Sequence, residues 1–158
     1  MRKFAAIVLA LSTAAFASNT GIDPYEGDFT SPKTVSLPSM TTRSSCEAVG
    51  AYWRSDACYF NTSDDVSVYR GQEGYDIAVS TVGLDSQSCR FESTGSLQND
   101  GTMLASLATA VGPCDVTLKY AGDNWISVRS SGACHSLCEN ESLSLDIKRA
   151  KRVDILGP

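Results

Sequence analysis

The sequence predicts an all-β domain, an antiparallel meander closing into a small barrel or sandwich and stapled by disulfides. Three observations lead there. Several short segments alternate polar and apolar residues with period two. Turn-forming residues separate those segments at near-regular intervals. Six cysteines lie in a chain that opens with the pattern of an export signal.

The alternation is clearest in residues 75–82. There Tyr75, Ile77, Val79 and Thr81 share one face, and Asp76, Ala78, Ser80 and Val82 share the other. Residues 66–69 precede this strand across a turn at residues 71–74. Residues 89–93 run back beside it. The run Gln98-Asn99-Asp100-Gly101 then reverses the chain, because Asn, Asp and Gly tolerate positive φ. Residues 103–111 also suit a short helix by their Ala and Leu content, but their hairpin-connected neighbours favour a strand, running over 103–109. Residues 115–120 and 125–130 pair around Ala121-Gly122-Asp123-Asn124, and residues 141–149 form the last strand. Closing such a sheet removes the free edges that otherwise recruit other chains.

Upstream, residues 1–17 read MRKFAAIVLALSTAAFA: a basic start, an apolar run and an A-x-A cleavage site. The run is too short to span a bilayer, which takes about 20 apolar residues. The expected organisation is therefore a signal peptide over 1–17, an extended N-terminal segment over 18–45 and a β-barrel-like domain over 46–158. Within the extended segment, Phe29 or residues 35–37 could add a strand to the sheet edge. Cys46 and Cys58 bracket a loop or helical turn carrying Tyr52 and Trp53, and their short spacing favours a local disulfide. Trp53 reads as a lid over one end of the core. Asn61-Thr62-Ser63-Asp64-Asp65 reads as a turn, since its oxygen spacing matches no calcium loop.

Cys89, Cys114, Cys134 and Cys138 all fall at one end of the meander. Thiols in an exported chain oxidise, so two disulfides are expected there. Four cysteines allow three pairings, of which Cys89–Cys114 with Cys134–Cys138 is the preferred one.

The formal charge of the whole chain is −5. Residues 18–147 carry 7 basic and 17 acidic side chains, while Lys148, Arg149, Lys151 and Arg152 cluster behind them. An acidic body repels nucleic acid and anionic membrane and attracts a basic partner.

Enzyme chemistry finds little to work with. His135 is the only histidine. No G-x-S-x-G marks a nucleophile, and no third group is placed by sequence to orient a base. There is no phosphate-cradling glycine loop. Cys134, His135 and Cys138 lack the paired C-x-x-C knuckles of a zinc site. No metal or cofactor is expected. Asn61-Thr62-Ser63 and Asn140-Glu141-Ser142 match the glycosylation sequon, which matters only in a eukaryotic secretory pathway.

From residue 75 to 149 the order of features resembles a small, largely uncharacterised exported domain of Gram-negative bacteria. Its marks are C-x-F-E (Cys89, Phe91, Glu92), C-x-V-T (Cys114, Val116, Thr117), G-D-x-x-x-x-V (Gly122, Asp123, Val128) and C-x-x-x-C before S-L (Cys134, Cys138, Ser142, Leu143). Related-looking chains are grouped loosely with periplasmic lysozyme inhibitors. Two departures stand out. Glu139 replaces the glycine that usually follows the last cysteine, and the S-G-x-x-Y and W-x-K-G motifs of the better-known inhibitors are missing. The resemblance therefore implies an inhibitor-like role by analogy and carries over no inhibitory residue.

The resulting expectation is a non-enzymatic, periplasmic or secreted binding protein. It would inhibit, or confer immunity against, a basic peptidoglycan hydrolase. Contact would come from the loop at the cysteine-rich end, through His135, Ser136, Glu139 and Asn140, with Glu139 as a charge partner. Two alternatives stand beside it: an envelope structural protein, and a lipocalin-like carrier whose interior Tyr75, Ile77, Val79, Phe91, Val116, Leu118 and Tyr120 would line.

Overall fold

The computed structural model describes residues 23–153; the expected signal at 1–17 lies outside them. Nine strands form one antiparallel sheet: β1 (Gly27–Ser36), β2 (Tyr52–Arg54), β3 (Ala57–Arg70), β4 (Tyr75–Val82), β5 (Ser88–Leu97), β6 (Met103–Thr109), β7 (Gly112–Tyr120), β8 (Trp125–Ser130) and β9 (Ile147–Arg152). From β2 to β9 each strand pairs with the next in sequence. β1 then pairs with both β9 and β3 and closes eight of the nine strands into a barrel, leaving β2 as an appendage on β3.

The barrel thus begins at Gly27, inside the stretch expected to be an extended segment. β1 is extended, and it is the added strand that Phe29 allowed, though it closes the wall between β3 and β9 rather than lying at a sheet edge. It pairs with β3 from Gly27↔Val68 to Ser36↔Tyr59, and with β9 at Phe29↔Arg152 and Thr30↔Lys151. Pro32 falls just past the residues paired to β9. One flank of the strand is an edge there, the position at which a strand tolerates proline.

Two strand boundaries differ from expectation. The supposed turn Asn61–Asp65 lies within β3, because each polar residue finds a partner across or along the sheet. Thr34 Oγ1 donates to Asn61 Oδ1 at 2.9 Å, and Ser63 Oγ donates to Asp65 Oδ1 at 2.9 Å. Asp64 forms an ion pair with Lys33 and accepts the Val82 N–H at 3.0 Å. The last strand begins at Ile147 rather than at 141. Asn140 Oδ1 accepts the Ser142 N–H at 2.8 Å and holds the chain in a turn instead. Residues 103–109 do form a strand, as their neighbours dictate.

An eight-stranded barrel is just wide enough for side chains to fill it. Phe29, Phe91, Met103, Leu118, Ile126 and Leu145 are each below 2% exposed and belong to one cluster with Val66, Val68, Val79, Val116 and Val128. Of the residues expected to face inward, Ile77, Val79, Phe91, Val116 and Leu118 are buried, and Tyr75 and Tyr120 pack against the cluster from its margin. Both ends are stoppered. At one, the Tyr25 hydroxyl donates to Gly101 O at 2.7 Å and accepts the Tyr120 N–H at 2.9 Å. At the other, Leu145 and the half-cystines close the mouth.

Beyond that second end, the later part of β1 and the earlier part of β3 continue as an arm with β2 and the helix α1 (Arg43–Ala48). Leu37, Cys46, Ala51 and Cys58 form a separate small core there, with Met40, Trp53 and Phe60 against it. Trp53 covers this second core rather than the barrel. The Cys46–Cys58 disulfide staples α1 to β3, as expected from the spacing.

Two predictions follow from the wall and its stopper. Gly95 lies where β5 leaves β4 for β6, and a Cβ there would sit 2.5 Å from Ile77 Cδ1 and 2.9 Å from Leu104 O. Gly95→Ala should lower stability by about 2 kcal/mol, read as a shift of the urea midpoint. At the Tyr25 end, burial pushes the Asp23 carboxyl up. Hydrogen bonds from Tyr75, the Tyr25 N–H and Arg70 outweigh that and hold it below its ordinary value. A depressed folded pKa contributes stability above the unfolded value of about 3.9, and that stability is lost as pH falls through the folded pKa. Asp23→Asn should therefore be less stable by about 1–2 kcal/mol at pH 7, with the gap closing below pH 4 in thermal melts.

Candidate functional site

The chain leaves β8 at Ser130 and enters a 3₁₀ turn, Gly132–Leu137, laid across the cysteine-rich end. Ser131 anchors its start. The Ser131 N–H donates to Asp115 O at 2.9 Å, and the Asp115 N–H donates to Ser131 Oγ at 3.0 Å. Cys134 and Cys138 then each reach down to a different strand.

The disulfides are Cys114–Cys134 and Cys89–Cys138, not the preferred Cys89–Cys114 with Cys134–Cys138. The reason is strand order. β6 lies between β5 and β7, so Cys89 and Cys114 stand at least two strand spacings apart, about 9.6 Å or more, beyond the roughly 7 Å Cα limit for a cystine. The 3₁₀ turn bridges that gap. It sets Cys134 over β7 with a Cα–Cα distance of 4.6 Å and Cys138 over β5 at 4.0 Å. With Cys46–Cys58, all six cysteines are paired.

The four residues expected to make contact lie on this one segment and are all exposed, but they divide into two roles. His135 and Ser136 line a shallow hollow of about 390 Å³ together with Val111, Gly132 and Glu141. Glu139 and Asn140 instead hold the backbone. Glu139 Oε2 accepts the Ser88 N–H at 2.7 Å, and the Glu139 N–H donates to Ser88 O at 3.0 Å. Asn140 caps the following turn. Val111, at the tip of the β6–β7 hairpin, is 69% exposed and gives the hollow an apolar edge. Its signal in the sequence was faint: a valine just before two turn-forming residues, Gly112 and Pro113.

A second hollow, about 400 Å³, opens on the arm between Leu37, Pro38, Met40, Trp53 and Tyr59. Tyr52 stacks on Tyr59 nearby, with ring centroids 5.9 Å apart.

Neither hollow carries the geometry of a nucleophile and base. The His135 ring makes no hydrogen bond to another described residue, so nothing orients it. Among the described residues no group of three His, Cys, Asp or Glu is placed to hold a metal ion, and no helix is long and apolar enough to cross a membrane. What the cysteine-rich end can do chemically is present a fixed, mixed apolar and polar surface.

No family model, curated protein or solved structure matches the chain.

The two late cystines close loops of 49 and 20 residues. Peptide mapping of unreduced protein should recover Cys46–Cys58, Cys89–Cys138 and Cys114–Cys134. Replacing Cys89 and Cys138 together by alanine should cost about 4 kcal/mol, and the Cys114/Cys134 pair about 3 kcal/mol, in reversible melts.

Proposed function

We propose that this protein is an exported binding module that restrains another envelope protein, a basic peptidoglycan hydrolase, through its cysteine-rich end. The observation that carries the reading is the Val111–His135–Ser136 hollow. It is an exposed apolar edge beside polar groups, pinned by two cystines to two different strands. A surface fixed in advance binds without a large ordering cost.

Other features support it. Three disulfides suit an oxidising compartment. The acidic body favours a basic partner. The filled interior weighs against a small-ligand carrier, which would need open volume inside the barrel. The resemblance to exported domains grouped with periplasmic lysozyme inhibitors points to the same class of partner. Glu141, on the rim of the hollow, takes over the charge-partner role first expected of Glu139.

The test is the lysis of peptidoglycan by C-type and G-type lysozymes with and without protein lacking residues 1–17. Slowed lysis is expected with at least one of them. The double variant Val111→Asp, His135→Ala should weaken that inhibition about tenfold or more while melting like the parent. Unchanged lysis across the panel, with no partner recovered by crosslinking in the periplasm, would remove the proposal.

A further inference from the structure

The side wall formed by β7, β8 and β9 carries a charge pattern opposite to that of the rest of the molecule. Of the eleven lysines and arginines between Asp23 and Val153, six lie on these strands; Arg152 turns toward Phe29 and donates to Asp23 O and Pro24 O, while the other five, Lys119, Arg129, Lys148, Arg149 and Lys151, are all exposed. The register gathers them around Ser127. Lys119 pairs with Ser127, Thr117 with Arg129, and Trp125 with Lys151.

A bulge completes the group. Ile126 pairs with Ala150 and Val128 with Ile147, so Ser127 alone faces two residues, Lys148 and Arg149. Ile147 and Ala150 are buried on either side of them, and the extra residue turns both cations outward. A regular ladder would have pointed one of them into the core. The Arg149 guanidinium lies 4.0 Å from the centroid of the Trp125 ring, with the Lys151 ammonium at 6.0 Å, so the cations are held against a fixed aromatic plate.

None of the five makes an ion pair with another described residue, the only such pairs being Lys33–Asp64 and Arg70–Asp23. Asp123, in the turn between β7 and β8, and Asp100, which accepts the Thr102 N–H and hydroxyl, border the Lys119 end of the wall, and two acids at its other end are engaged with neighbours. Asp115 accepts the Ser106 hydroxyl, and Asp146 accepts the Ser130 N–H and hydroxyl.

We propose that this wall is a docking surface for an anionic polysaccharide. Like charges spread over two strand spacings, about 10 Å across the strands, and over four residues, about 13 Å along β8, repel one another and favour a polyanion that neutralises several at once. No large exposed apolar side chain lies among the outward residues of the three strands, which removes the wedge a lipid surface would take up. Duplex DNA carries a charge about every 1.7 Å and would press its phosphates against the acidic flanks of a patch this narrow. A single extended glycan chain, with charges spaced further apart, fits the strip and its hydroxyls at Thr117 and Ser127. The wall is separate from the cysteine-rich end, so the proposal stands or falls independently of the hydrolase reading.

The experiment is titration calorimetry with a heparin oligosaccharide as the probe, over a salt series. Wild type should bind, with affinity falling as salt rises. The variant Lys119→Gln, Lys148→Gln, Arg149→Gln, Lys151→Gln should bind roughly a hundredfold more weakly. The control Arg43→Gln, Arg54→Gln, which removes exposed cations elsewhere, should bind as wild type. If loss of the Arg149 stack unfolds the quadruple variant, Lys119→Gln, Lys148→Gln leaves Trp125 untouched and should still weaken binding about tenfold. Four results would overturn the proposal: no binding at low salt, variants that bind as tightly as wild type, tighter binding to duplex DNA or phosphatidylglycerol vesicles than to heparin, or salt-sensitive self-association in sedimentation that accounts for the patch.

Discussion

The ladder between β1 and β3 is the constraint on which the remaining architecture rests. Without β1, the strands from β3 to β9 form an open sheet with two bare edges and one apolar face exposed. With it, Phe29 enters the centre of the cluster, the edges vanish, and the same strand runs on to support the arm. Closure also decides where function can reside. Once the interior is filled and Tyr25 and Leu145 occupy the two mouths, recognition is confined to the ends, the arm and the outer walls.

The cysteine-rich end owes its rigidity to a division of labour among neighbours in sequence. Cys134 and Cys138 tie one short turn to β7 and β5, strands that are not paired with each other. Glu139 adds a two-bond clasp on Ser88. His135 and Ser136, between the two cystines, are therefore displayed on a support whose position is set from three sides. This is the arrangement expected of a contact surface and an unhelpful one for a lid, which needs a hinge.

Much of the barrel could be read from residue order, and the failures share one cause. The alternation in Tyr75–Val82 and the turns at 98–101 and 121–124 are local signals, and the hairpins they predict are present. What escaped depends on partners far along the chain. Asn61–Asp65 has turn chemistry locally, yet it becomes strand because Lys33 and Thr34 lie opposite. The cystine map departs from the expected pairing because the end of the barrel on which each cysteine falls is legible in the sequence, while its lateral place among the strands is not. At the candidate site, the exposure of His135 and Ser136 was legible as loop character. The anchoring role of Glu139 was not, since Ser88 lies 51 residues away. The cation cluster at 148–152 was visible as composition. The bulge that turns Lys148 and Arg149 to the same side is a property of register with β8, which no single segment encodes.

The wiring of the wall has a consequence for the order in which it can be built. From β2 onward every strand finds its neighbour in the next hairpin, so the sheet can zip up along the polypeptide as it is made. β1 is the exception: its second neighbour, β9, ends at Arg152. Of these nine strands the one synthesised first is thus the last to have both flanks satisfied, and the cylinder stays open until β9 has emerged.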